Sequence, residues 1–342
     1  MGRCALEKFE IAGLTVEFET GDGLLLERSR PYLTSDDKKT DIKIELDDDF
    51  FMRRRQSYPM LTLDECRYVW TGEAFYLKLL EFNGFMLHSS CVCRGGNAYL
   101  FSARSGTGKS THTHLWLSEF PDAYILNDDK PAIIINESGA VAYGTPFSGK
   151  NDESRNAAAP IRAVVFIERS QKNSIEKISP ASAVPLFMSQ TVRPKTPQYM
   201  GVLLSLLDAL LKEVPVFLLK CNMDPSAAHV SYDGIEEYYR QNPRASEKER
   251  QCWYMKIKDG FMLSGVAGSY VVVPVGAVQA DFTGMITLNP VGAFLWGKLE
   301  KETTRDELLK SVLSQYDTDE KTAAQDIDRY LEKLRKNGLL EE

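Results

Sequence analysis

The run Ala103-Arg104-Ser105-Gly106-Thr107-Gly108-Lys109-Ser110 constrains this chain more than any other. A strand-like stretch at 98–101 precedes it, and a helix-like stretch at 111–119, with Leu115 and Leu117 apolar, follows it. A Gly-rich loop between a strand and a helix aims backbone N–H groups and a helix N-terminus at one point. That point favours an anion. Lys109 adds a cation at the distance of β- and γ-phosphates, and Ser110 adds a hydroxyl that ligates Mg²⁺. Ser105, Gly106, Thr107, Gly108, Lys109, Ser110 and Thr111 are therefore the expected nucleotide contacts, with ATP and Mg²⁺ as the expected cofactors. The first position of the pattern is Ala103 rather than Gly, which a left-handed backbone there would penalise.

The next strand-like stretch, 124–127, ends in Asp128-Asp129. A carboxylate at a strand end beside such a loop holds Mg²⁺ or takes a proton from an attacking hydroxyl, and a pair divides the two tasks. Upstream, Gly84-Phe85-Met86-Leu87-His88-Ser89-Ser90 carries one of the chain's four histidines. Downstream, Gly144-Thr145-Pro146-Phe147-Ser148-Gly149-Lys150 reads as a shaped loop, and Lys150 or Arg155 is the candidate second cation for the γ-phosphate. His112 and His114 read as helix-surface or packing residues.

Length and charge bound the rest. At 342 residues the chain exceeds one typical core. Its net charge of −7 disfavours nucleic acid, which needs a basic face. No apolar run approaches a membrane span, and the first residues lack a signal-peptide pattern. Six scattered cysteines, including the lone Cys91-x-Cys93, read as free thiols in a reducing, cytoplasmic setting. Residues 1–80 read as strand-rich, from alternation at 11–18 and 41–46 and short apolar runs at 68–70 and 74–79, with turn signals at Gly21-Asp22-Gly23 and Thr71-Gly72. The basic triplet Arg53-Arg54-Arg55 reads as a solvated loop. Residues 81–232 hold the chemistry, and the polar stretch 233–250 reads as a linker or a short solvated helix. In 251–342, strands at 253–258, 261–264 and 270–275 precede a helix at 290–299. A second helix follows Thr304 as N-cap with Glu307 at the capping-box position, and a last one spans 322–336 with Gly338 as its stop.

Leu87-His88-Ser89-Ser90, the core Ser105 to Ser110 and Asp128-Asp129 resemble the catalytic domain of HPr kinase/phosphorylase and its relatives. That group is related to the ATP-dependent phosphoenolpyruvate carboxykinases. The resemblance covers roughly residues 84–170, with a weaker echo to about 230. It implies a mixed-sheet P-loop kinase domain in which an Asp of the acidic pair takes the proton of a serine hydroxyl and an upstream His supports that Asp. Carried over by position, the base falls on Asp128, the metal ligand on Asp129 beside Ser110, and the supporting residue on His88. The downstream Arg-Gly signature of HPr kinases is absent, and residues 144–150 stand in its place, so HPr itself is not implied as the substrate.

Residues 276–340 resemble the PqqD-like domains of peptide-natural-product pathways, through Leu288-Asn289, Gly292, Trp296, the run 304–309, Tyr316 and Leu334-Arg335-Lys336-Asn337-Gly338-Leu339-Leu340. Such domains have a small winged-helix shape and bind a precursor's leader segment as an added strand. The closing Glu341-Glu342 and the lack of a basic recognition helix argue against DNA.

The expected fold is α+β: a strand-rich accessory region, an HPr kinase-like domain, a linker and a PqqD-like domain. The expected function is Mg²⁺-ATP-dependent phosphorylation of a hydroxyl, serine foremost, on a ribosomally made precursor peptide. Other peptide-modifying enzymes are further candidate partners, and a homo-oligomer is allowed. The alternatives are an ATP-binding peptide chaperone without transfer, a kinase for a small molecule such as free serine, and a carboxykinase-type enzyme.

Overall fold

The computed structural model describes residues 6–104, 106–136, 139–242, 254–266, 269–274 and 286–341. Contacts divide the chain into two compact units, Met1–Asn242 and Pro243–Glu342. Ser105, residues 243–250 of the expected linker and residues 276–285 at the start of the expected PqqD-like segment lie outside the described residues.

The first unit opens with a hairpin, β1 (Leu6–Ile11) and β2 (Leu14–Glu19). Its two-residue turn puts Ala12 at φ 55° and Gly13 at φ 73°, the left-handed pair that a tight hairpin requires. Alternation buries Phe9, Ile11, Val16 and Phe18, and the Phe9 and Phe18 rings stack at 4.5 Å. After α1 (Leu24–Ser29), the short β3 (Ile42–Lys43) joins β2 in parallel.

Two helices follow, α2 (Asp48–Ser57) and α3 (Leu63–Leu79). The runs at 68–70 and 74–79, expected as strands, are helical. A Thr62–Glu65 capping box starts α3. Tyr68, Gly72, Phe75, Tyr76 and Leu79 recur at helical spacing and are buried. Gly72 is no turn. It faces the Phe147 ring, where a Cβ would come within 2.8 Å. Phe75, Tyr76 and Leu79 share one core with Phe9 and Val16, and also with Met86, Ala132 and Phe147, so the N-terminal region is packed into the sheet that follows.

That sheet has nine strands among the described residues: β4 (Gly84–Met86), β5 (Ser89–Arg94), β6 (Asn97–Ser102), β7 (Tyr124–Asn127), β8 (Ala132–Asn136), β9 (Gly139–Tyr143), β10 (Ala158–Arg169), β11 (Ser174–Lys177) and β12 (Val216–Cys221). The long β10 curls it. Its start pairs antiparallel with β9, and from Ile161 it runs parallel to β6, with a register shift at Ile161/Ala163, and then to β12 as well. The helix α4 (Lys109–Glu119) leaves the end of β6. The helices α5 (Pro180–Gln190) and α6 (Pro197–Glu213) bury Phe187, Leu203, Leu206, Leu207 and Leu210 against Leu100, Val164 and Phe166. α7 (Ser226–Gln241) packs on α4 and extends through residues 233–241, where a linker or a short solvated helix was expected.

The second unit has its own core, built on Trp296, Leu308, Ile327 and Leu331. β13 (Tyr254–Ile257) pairs with two short strands, and β14 (Phe261–Val266), β15 (Ser269–Pro274) and β16 (Ile286–Leu288) form an antiparallel wing. Three helices complete this small winged-helix arrangement: α8 (Pro290–Leu299), α9 (Arg305–Gln315) and α10 (Glu320–Lys336). The Thr304–Glu307 capping box forms as expected. Gly338, at φ 67°, ends α10, and the N–H of Leu339 donates to Leu334 O at 3.0 Å, as a Schellman stop requires.

Candidate active site

The loop between β6 and α4 has the form its sequence predicts. Gly106 and Gly108 sit at φ 76° and 120°, and among the described residues no atom outside their chain neighbours and own helix backbone lies within 4 Å of a Cβ built on either. Backbone conformation demands glycine there, and the space in front of the loop is open. Ala103 is not among the residues with positive φ, so alanine costs nothing at that position. Gly108 caps α4 without a side-chain bond, leaving the helix N-terminus free for an anion. Cavities of about 840 Å³ and about 430 Å³ flank the loop, the first reaching Gln190 and the second bounded by Thr111, Leu115, Asn222 and Met223. Arg169 braces the loop from β10, donating to Thr107 O at 3.1 Å and Gly106 O at 2.5 Å.

Lys109 is buried, with Nζ 3.1 Å from His88 Nε2 and 3.3 Å from Ala103 O. Burial lowers its pKa against the raising influence of Asp129. His88 Nε2 also lies 3.0 Å from Asp129 Oδ1, and His88 Nδ1 is 3.0 Å from Gln190 Oε1. His88 therefore belongs with Asp129, not with Asp128 as expected. The reason lies in Asn127. Its Oδ1 accepts the N–H groups of Asp129 at 3.0 Å and Lys130 at 2.7 Å, and its Nδ2 donates to Thr145 O at 3.0 Å. This Asx turn holds the two aspartates in different surroundings.

Asp128 is 4% exposed and accepts the Gly149 N–H at 2.5 Å. A Cβ at Gly149 would come within 2.8 Å of its carboxylate. Burial raises the Asp128 pKa, and Asp129 and Glu153 add to the rise. Burial would raise Asp129 too, but the His88 hydrogen bond and Lys130, 2.6 Å from its Oδ2, outweigh it and hold this carboxyl well below the usual range.

Other expected residues fall elsewhere. Arg155 lays its guanidinium over the Tyr124 ring at 4.6 Å, and Lys150 is exposed on the loop beside Gly149. His112 is the packing residue of the two readings, buried with Nε2 3.1 Å from Ser231 Oγ. His114 is 2.6 Å from Ser110 O and 3.1 Å from Glu153 Oε1. Glu153 itself was missed, and its Oε2 is buried without a hydrogen-bond partner among the described residues. Lys130, Gln190, Arg169 and Asn127 were missed as well. Only Asn127 and Lys130, next to the acidic pair, carried a local signal. Cys91 and Cys93 are buried thiols in β5.

The site fits a magnesium nucleotide by its donor set. The charges of Asp129 and Glu153 add to the rise at Asp128, and His114 links a carboxylate oxygen of Glu153 to the Ser110 carbonyl. Among the described residues no three His, Cys, Asp or Glu side chains form a metal cluster. A bound Mg²⁺ would therefore take part of its shell from phosphate and water, as this ion commonly does.

Residues 270–340 match the family described as coenzyme PQQ synthesis protein D (PqqD), so the second unit contains a PqqD domain. Among solved structures the chain is similar to TbiB1 in complex with the TbiA(beta) leader peptide, at 24% identity and TM-score 0.22, over 25% of this chain and 94% of that one. It is also similar to the HPr(Ser) kinase/phosphatase from Coxiella burnetii, at 9% identity and TM-score 0.28, over 46% of this chain and 98% of that one. No curated protein sequence matches the chain. No helix among the described residues is long and apolar enough to cross a membrane.

Proposed function

We propose that the first unit is a Mg²⁺-ATP-dependent kinase for a hydroxyl, serine foremost, on a ribosomally made precursor peptide whose leader is held by the PqqD domain. One observation carries this reading: Lys109, at the foot of an open anion-binding loop, meets the His88–Asp129 pair in a single cluster. The nucleotide supplies the phosphoryl group, and Mg²⁺ neutralises charge on it. Lys109 leaves His88 to reach the phosphates. His88 Nε2 is then free to donate to Asp129 and hold its carboxylate toward the incoming hydroxyl.

A base is judged by reach before pKa. Asp129 is the more exposed carboxylate and the one oriented by histidine, so it takes the proton. Its depressed pKa is tolerable, because phosphoryl transfer relies on positioning and electrostatics more than on base strength. Asp128, with Glu153 and the Ser110 hydroxyl, supplies oxygen donors for Mg²⁺. Compared with the order carried over by family position, the base and metal roles of the two aspartates are exchanged.

The test incubates the protein with γ-labelled ATP, Mg²⁺ and the precursor peptide encoded beside its gene, and reads intact mass. A gain of one phosphate that disappears with Asp129→Asn supports the reading. Loss of transfer in Asp128→Asn at saturating Mg²⁺, with Asp129→Asn active, would reverse the two roles. ATP binding without transfer would favour a peptide chaperone.

A further inference from the structure

We propose that a groove along α3 is the acceptor channel of this site and that it takes an extended, acidic peptide segment. The proposal rests on the kinase reading and assigns a task to the N-terminal region. One end of the groove is a cavity of about 410 Å³ that reaches Lys130, the residue paired with Asp129 at 2.6 Å. Tyr68, Gly72 and Tyr76 of α3 line it together with Phe147. These contacts tie α3 to the catalytic loops. Tyr76 OH donates to Lys130 O at 2.5 Å, Tyr68 OH donates to Ser148 O at 2.7 Å, and Arg28 donates to the same carbonyl at 2.8 Å. The wall of the cavity and the residues beside the aspartates are thus one hydrogen-bonded assembly.

Glu73 and Arg193 line this cavity and also a second one of about 360 Å³. The second floor is apolar, with Phe50, Trp70 and Leu77. Its charged residues are Arg54, Lys78, Arg193 and Lys195 against Glu73 and Glu81. Cations outnumber carboxylates here in a chain whose net charge is −7. Such a local reversal of sign selects an acidic partner. Arg54 lies 5.0 Å from the Phe50 ring centre and 5.4 Å from that of Trp70, so the positive charge sits directly on the apolar floor. Two cavities in series, sharing one pair of residues, suit an extended chain that alternates anchoring and acidic side chains. Arg54 of the basic triplet, expected on a solvated loop, stands on the helix α2 and lines this groove.

The experiment uses three labelled, unstructured peptides of equal length, each with one serine flanked by glutamate, glutamine or lysine. Binding is read by fluorescence anisotropy and transfer by labelled phosphate from ATP, with the full chain and with Arg193→Glu/Lys195→Glu. Both substituted residues are exposed, and circular dichroism checks the fold. At low salt the glutamate peptide should bind about tenfold tighter than the glutamine peptide. The double variant should lose that preference and favour lysine, with ATP affinity unchanged. Equal binding of all three peptides, or a preference that survives charge reversal, overturns the groove. Glutamate-selective binding without transfer keeps the groove and overturns the kinase reading. Transfer that ignores flanking charge does the opposite.

Discussion

His88 Nε2 stands 3.0 Å from Asp129 Oδ1, on a ring whose other nitrogen is 3.0 Å from Gln190 Oε1. Two elements far apart in sequence thereby fix one imidazole beside one carboxylate. Replacing His88 with Ala removes the orienting bond and leaves the loop intact. Transfer at saturating ATP should fall about a hundredfold, with little change in the ATP dissociation constant. Steady-state kinetics and a nucleotide titration separate the two, and an unchanged kcat would leave His88 a packing residue.

Asp128 carries a stability cost that follows from its surroundings. Burial, aided by Asp129 and Glu153, raises its folded-state pKa above the unfolded value. The folded chain then holds this proton more tightly than the unfolded chain, so this group's contribution to stability grows as pH falls through the raised pKa. At neutral pH the ionised carboxylate is a burden. Asp128→Asn should therefore stabilise the apo protein in urea unfolding at pH 7, while raising the Mg²⁺ concentration needed for transfer. A loss of stability would contradict the electrostatic account of this pocket.

Arg169 braces the loop through two carbonyls and is itself exposed. Arg169→Ala should weaken ATP binding about fivefold by loosening the preorganised loop, with Tm nearly unchanged. Calorimetric titration beside a thermal melt checks both halves.

The loop, its glycines, the strand before it and the helix after it were legible because their constraints are local. Gly106 and Gly108 need positive φ, and Thr304, Glu307 and Gly338 form their cap and stop within a few residues. What was not legible depends on distance. Gln190 reaches His88 across 102 positions, and Arg169 reaches the loop across 62. Which aspartate stands beside His88 depends on an Asx turn at Asn127 that spacing alone does not orient. The helix α3 was misread because Thr71-Gly72 carries a turn signal, and only the Phe147 ring opposite shows why glycine stands inside a helix.

His112 is buried with Nε2 on Ser231 Oγ at 3.1 Å, and burial pushes its pKa down to about 4. The unfolded chain binds this proton at about pH 6.5, the folded chain only near 4. Stability from this group is complete above 6.5 and is lost as pH falls toward 4. The slope should be about 1.4 kcal/mol per pH unit in that window. His112→Gln should flatten it in urea unfolding measured from pH 7 to 4.5. An unaltered slope would place the pH dependence in other groups.

The central claim joins a catalytic loop in one unit to peptide capture by the other. The most direct test compares the full-length precursor peptide with the same peptide lacking its leader, as acceptors of labelled phosphate from ATP. Tethering raises the effective concentration of the acceptor, so at micromolar peptide the leader-bearing form should react at least about a hundredfold faster. The leaderless form should approach the same maximum rate only at far higher concentration. Equal rates for both peptides at every concentration, or transfer to neither while ATP is bound, would contradict the account.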